Sequence, residues 1–183
     1  MKDRKVDRKK KGAAAAPAGL HKSIIDPITE IGGRGDGEAA LRSRLGELKR
    51  YGWHFGVIFI GIDNFKPFSV KYGHEAGDWA LKMVADNLKK SARPFDTFCR
   101  WGPDEFLVVL ANIKEGDLFI AADRFRSLVE QSSLRVGGEA VGVTVSVGAT
   151  IVKDDDTVSG IVERADKLMY HSKEAGGNRV SMK

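Results

Sequence analysis

The chain has little of what disulfide, metal or membrane chemistry would use. It contains one cysteine, Cys99, which excludes an intrachain disulfide and any multi-cysteine metal site and fits a reducing, cytoplasmic setting. Its four histidines show no metal-ligand spacing. No apolar run approaches the roughly 18 residues of a membrane span, and the start of the chain lacks the apolar stretch of a signal peptide. Neither a dinucleotide-binding fingerprint nor a P-loop is present, so Gly32-Gly33-Arg34-Gly35 carries no phosphate-loop signature. The globular part also lacks excess charge of either sign. Lys2, Arg4, Lys5, Arg8, Lys9, Lys10 and Lys11, set against Asp3 and Asp7, account for the whole net charge of +5. That leaves no basic surface implied for a specific nucleic-acid polymer. The basic run is of the kind that is solvated or contacts an anionic surface or partner.

What is there suits one domain with a solid core: 183 residues, 42% hydrophobic and 30% charged. Ala13 to Gly19 is a small-residue, proline-containing linker. We therefore expect a basic, Ala-rich flexible leader over 1–22 and a folded domain over 23–183. Leu41, Leu45 and Leu48 fall at helical spacing after Glu38 and predict a first helix ending at Tyr51-Gly52. Phe55 to Ile62 is a nearly unbroken apolar run, as in a strand buried on both faces, and is the expected central strand. A polar and aromatic segment follows, then a helix marked by Leu81, Val84 and Leu88 that stops before Pro94. Leu118, Ala122, Phe125 and Val129 predict a helix between Glu115 and Gln131. Val141, Val143, Val145 and Val147 alternate with smaller residues through Gly148, a strand with one face in the core. Val158 through Met169 predict the last helix, ended by Gly176-Gly177, and Asn178 to Met182 an edge strand. Strands separated by helices, with one tight hairpin, make an α/β (α+β) fold whose mixed sheet has helices packed against it.

That hairpin is the stretch to which the rest is fitted. Thr97-Phe98-Cys99 and Phe106 to Leu110 are β-prone, and Gly102-Pro103-Asp104-Glu105 between them is made of turn formers and two acids. An Asp-Glu pair on a β-turn is ordinarily solvated charge. Here it stands in a longer series: the lead-in Asp26 to Arg34, Asp63-x-Phe65-Lys66 after the first strand, Gly73-His74-x-x-Gly77-Asp78, Arg93-x-x-Asp96, Gly102-x-Asp104-Glu105-Phe106, Ser146-Val147-Gly148, Ala165-Asp166 with Met169-Tyr170, and Lys173 ahead of Asn178-Arg179. In order and spacing this series resembles the GGDEF domains, typically diguanylate cyclases that condense two GTP into cyclic di-GMP.

The resemblance implies a mixed five-stranded sheet flanked by helices, palm-like as in nucleotide cyclases, with the signature on a central antiparallel hairpin. It implies Mg²⁺ when GTP is bound and a homodimer for the active enzyme, each half holding one GTP. By resemblance Asp104 is the metal ligand at the tip and Glu105 its catalytic companion. Lys66 and Lys173 touch the nucleotide's phosphates, Asp78 reads the guanine edge, and Gly102 lies against the nucleotide. Arg93 and Asp96 match an inhibitory site for cyclic di-GMP, where an Arg fork suits phosphate and guanine and a carboxylate suits guanine N–H groups. The family's opposing metal carboxylate falls at Gly61. Asp63, on the same side by period two, is the alternative ligand, about 6–7 Å farther along. Ser69 replaces a guanine-contacting Asn, Pro103 the second signature glycine, and Gly177 a phosphate-binding Arg. These four departures imply a degenerate domain with little or no cyclase activity, acting as a cyclic di-GMP or GTP binding module. An active cyclase and a structural or dimerisation domain are the alternatives. His74 is expected to pack and cap its helix, and Trp53, Trp79 and Trp101 to be core or rim residues.

Overall fold

The computed structural model describes residues 23–183, and the expected leader lies outside them. The elements in order are α1 (Arg34–Tyr51), β1 (Phe55–Ile62), α2 (Phe65–Tyr72), α3 (His74–Ser91), β2 (Thr97–Arg100), β3 (Glu105–Ala111), α4 (Glu115–Glu130), β4 (Leu134–Val136), β5 (Glu139–Val141), β6 (Val145–Ile151), α5 (Val158–Glu174) and β7 (Val180–Met182). The main sheet has the order β2-β3-β1-β6-β7, with β1 in the middle. Its strands are antiparallel except for the β6–β7 pair, which is parallel.

The unbroken apolar run of β1 does what such a run predicts: all eight residues are buried. Ile58, Ile60 and Ile62 join a core with α3 and α4, while Phe55, Val57 and Phe59 join a second core with α1 and α5. The two layers follow from the side-chain period of two. Deleting a large member of either core, such as Phe106 or Phe59, would cost about 3–5 kcal/mol. Among the described residues no helix is long and apolar enough to cross a membrane.

Three features depart from the sequence reading. The polar and aromatic segment Phe65–Tyr72 is a short helix, entered through Asn64 at φ 52°, a left-handed conformation that Asn tolerates. The segment before β6 forms a small hairpin, β4–β5, that was not anticipated. The alternating run also begins four residues later than expected, at Val145, and is buried on both faces: Val141 ends β5 instead. The reason is α5, which lies so close to β6 that a Cβ on Gly148 would run into the carbonyl oxygen of Ala165 and the amide nitrogen of Met169. Small residues on that face of β6 let a helix cover what alternation alone would leave to solvent.

Candidate functional site

The turn between β2 and β3 is held from within by Arg100. Its Nε donates to Gly102 O at 3.2 Å and its Nη2 to Pro103 O at 2.7 Å, while Nη1 reaches both oxygens of Asp26 at 3.2 and 3.0 Å. The amides of Trp101 and Gly102 donate to Glu105 O. Asp26 in turn accepts from the amide and hydroxyl of Thr29 at 2.8 and 2.7 Å. Burial works to raise the Asp26 carboxyl, but the Thr29 bonds and the Arg100 guanidinium outweigh it and hold it below the usual carboxylate range. The tip is thus clamped to the lead-in of the chain. A Cβ on Gly102 would meet the Glu105 carboxylate, which would have to move aside. Burial first, then the charges of Asp104 and Asp166, push the Glu105 carboxyl up, with Lys173 pulling the other way.

Opposite the tip, Gly61 pairs with Glu105 on β3 and with Ser146 on β6. Having no side chain, it leaves a slot that α5 fills. A Cβ at 61 would lie 2.8 Å from Lys173 Cε, from Lys173 Nζ and from Met169 Sδ. The Lys173 ammonium stands 3.8 Å from Asp104 Oδ2. Asp63 does not enter this slot. Its Oδ1 accepts from the Ser146 hydroxyl at 2.6 Å, and its Oδ2 from the Thr144 hydroxyl at 2.7 Å and the Asn178 amide at 2.9 Å. Considered as a stand-in metal ligand, Asp63 is instead used to tie the end of β1 to β6 and to the approach of β7, on the far side of Gly61 from the hairpin.

Mg²⁺ asks for oxygen ligands at about 2.1 Å in octahedral array, commonly one or two carboxylates with phosphate oxygens completing the set. The residues present do not fit that demand. The β1 position beside the tip offers no carboxylate, and an ammonium already neighbours Asp104.

The other sequence-derived candidates lie on α2, on α3 and in the turn after α5. Lys66, on α2, and Asp78, on α3, are exposed. Ser69 packs against the first turn of α3, its Oγ 3.0 Å from where a Gly77 Cβ would stand and 3.4 Å from His74 Nδ1. His74 is the first residue of α3 and exposed. Gly177, at φ 74°, closes the turn after α5 against Asp63, and Arg179 Nε donates to its carbonyl at 3.3 Å. A basic side chain therefore reaches the turn from two residues farther on.

Arg93 and Asp96 sit at the other end of the hairpin. Asp96 Oδ2 accepts from the Arg93 amide at 2.9 Å and Oδ1 from the Ala111 amide at 3.3 Å, which fixes the connection from α3 to β2 against the end of β3. The Arg93 guanidinium makes no hydrogen bond or ion pair with any described residue. Beside it opens a cavity of about 470 Å³ lined by Arg44, Trp53, His54, Arg93, Phe95 and Asp96, among others. Arg44 braces its wall, donating to Phe95 O at 2.8 Å. Trp53 and Phe95 are 59% and 75% exposed, and Trp53 lies 5.0 Å from the Tyr51 ring. Trp79 is also exposed, whereas Trp101 packs edge-on against Phe59. Sequence reasoning missed Arg44, Trp53, Arg100 and Asp26 as parts of these sites. Asp26 opens the lead-in Asp26 to Arg34 that belongs to the resemblance, but nothing in the sequence paired it with Arg100.

Comparison with known proteins agrees with this fold. The family model described as diguanylate cyclase, GGDEF domain, matches residues 23–179. Diguanylate cyclase A of Treponema denticola is 40% identical over 127 residues, 69% of this chain and 34% of that protein. Diguanylate cyclase SiaD of Pseudomonas aeruginosa, solved in complex with its activator SiaC, superposes with a TM-score of 0.84 at 31% identity, over 86% of this chain and 61% of that one. The GGDEF domain of DgcB from Caulobacter crescentus, solved in complex with c-di-GMP, gives 0.84 at 26% identity, over 89% and 98%. The chain spans about a third of the length of the first curated relatives it matches.

Proposed function

Because the chain belongs to the GGDEF family of diguanylate cyclases, we propose that it serves cyclic di-GMP signalling as a binding module with little or no cyclase activity. The ligand is held at the Arg93–Asp96 cavity. The observation that carries this reading is that cavity: a guanidinium unpaired among the described residues, a second arginine and an exposed tryptophan line one space of about 470 Å³. Cyclic di-GMP carries two phosphodiester charges and two guanines. A guanidinium fork suits the phosphate oxygens or the guanine acceptor edge, a carboxylate the guanine N–H groups, and an aromatic face the purine ring.

Low synthase activity follows from the other site. Joining a 3′-hydroxyl to an α-phosphate depends on positioning and on neutralising the charge that develops, the task for which such enzymes employ Mg²⁺. This chain supplies Asp104, Glu105, Lys66, Asp78 and Lys173 for that work, with Gly61 in place of the opposing carboxylate. Loss of one such electrostatic element commonly lowers a rate by about 10²-fold or more. Calorimetric titration of nucleotide-free protein with cyclic di-GMP should give saturable binding, weakened about tenfold or more by Arg93→Ala, as loss of a charged hydrogen bond would. Incubation with GTP and Mg²⁺ should yield no cyclic di-GMP. Robust product formation would instead establish an active cyclase, which would work as a homodimer. Failure of both nucleotides to bind would leave a structural domain.

A further inference from the structure

We propose that the Lys173 ammonium is the resident cation of the hairpin-tip site, so that this site takes the phosphates of a nucleoside triphosphate without a divalent metal. The inference rests on family membership for the location of the nucleotide and on this chain's own residues for everything else. It is independent of cyclic di-GMP binding at the opposite end of the hairpin.

The argument is one of mutual exclusion. Lys173 can lie as it does only because position 61 is glycine: any Cβ there would sit 2.8 Å from Nζ and from Cε, closer than real side chains approach. Its Nζ therefore stands between the β1 position, which offers no carboxylate, and Asp104, whose Oδ2 is 3.8 Å away. The next carboxylates around this point do not change the balance. Glu105 lies against Gly102, and Asp63 is held by Ser146, Thr144 and the Asn178 amide. A divalent ion at the tip would have to approach an ammonium already in place, and the carboxylate it would find there, Asp104, is the one that ammonium pairs with. The ammonium, by contrast, keeps free N–H donors for phosphate oxygens. The Arg179 guanidinium, held at the turn after α5, adds a second fixed positive charge near the same helix end.

The test compares GTP binding by calorimetry in Mg²⁺ and in EDTA, for the wild-type protein, Lys173→Met and Gly61→Asp. Cyclic di-GMP binding and thermal melting serve as controls for the fold. The wild-type affinity for GTP should change by less than about threefold between the two buffers, and Lys173→Met should weaken binding in EDTA by about tenfold or more, as loss of a charged donor implies. Gly61→Asp displaces the ammonium and supplies the missing carboxylate, so its GTP affinity should become at least about tenfold stronger in Mg²⁺ than in EDTA. The proposal is overturned if Mg²⁺ strengthens wild-type binding about tenfold, if Lys173→Met binds as well as wild type in EDTA, if Gly61→Asp stays indifferent to Mg²⁺ while folded, or if GTP at millimolar concentration binds in neither buffer. None of those results bears on the Arg93–Asp96 cavity, which the cyclic di-GMP titration judges separately.

Discussion

The two ends of the β2–β3 hairpin, about 23 Å apart by the length of β3, hold their charges in opposite ways. At the tip the cations are answered: Arg100 by Asp26 and two carbonyls, Lys173 by Asp104. At the far end Asp96 is spent on backbone amides, while the Arg93 guanidinium faces a cavity without a partner among the described residues. A site whose charges are satisfied internally is rigid, and a ligand must compete with the protein for it. One with an unspent donor beside open space is ready for an anion. The same hairpin thus shows one end whose cations already have partners and one whose guanidinium has none among the described residues.

Four substitutions test that contrast, in decreasing order of effect. Gly148→Val should all but abolish it. Its side chain would meet the backbone of α5, the helix that carries Met169 and Lys173 to the tip, and a loss of about 4 kcal/mol or more in urea unfolding is expected. Asp26→Asn attacks only the tip clamp and should cost about 1–3 kcal/mol at pH 7, leaving the cyclic di-GMP affinity of the cavity unchanged. Because the folded-state pKa of Asp26 is lowered, its contribution is present above the unfolded value and is lost as pH falls through the folded one. Melting curves of wild type and variant should therefore converge below about pH 4.

Trp53→Ala should do the converse. With the indole 59% exposed, melting should barely move, whereas loss of a stacking face should weaken cyclic di-GMP binding by about 1–2 kcal/mol, roughly five- to thirtyfold. Unchanged affinity would remove the aromatic wall from the contrast. The smallest effect is expected from Glu105→Gln. A carboxyl whose folded pKa is raised from 4.5 favours the folded state below that pH and costs stability as pH rises through the folded value. The variant should melt about 1–2 °C higher at pH 7 and lose that advantage in acid. A lower melting point at pH 7 would mean that Glu105 is better accommodated at the tip than its surroundings suggest.

Much of the architecture was legible before any coordinates. The apolar run of β1 announced a central strand, the turn formers at 102–105 a hairpin, and Gly176-Gly177 the end of the last helix. Two local readings slipped for identifiable reasons. Alternation at Val141–Gly148 marked a strand with one buried face, and only the packing of α5 on Gly148 explains why both faces are covered. Phe65–Tyr72 is too short to show a helical period and takes its helix from the Asn64 turn and from the packing of Phe65 and Ser69 against Gly77 of α3.

The sequence by itself determined that position 61 brings no acid, because glycine has no side chain, while the resemblance to the GGDEF domains implied that this position faces the hairpin tip. Only the tertiary structure decided what would fill that gap. Lys173 is more than a hundred residues from Gly61, and it reaches the slot because β6 lies beside β1 and its small residues let α5 settle close to the sheet. The same holds for Arg100 finding Asp26 and for Trp53 and Arg44 walling the Arg93 cavity. Contacts between distant segments depend on strand order and helix approach, which no local pattern encodes.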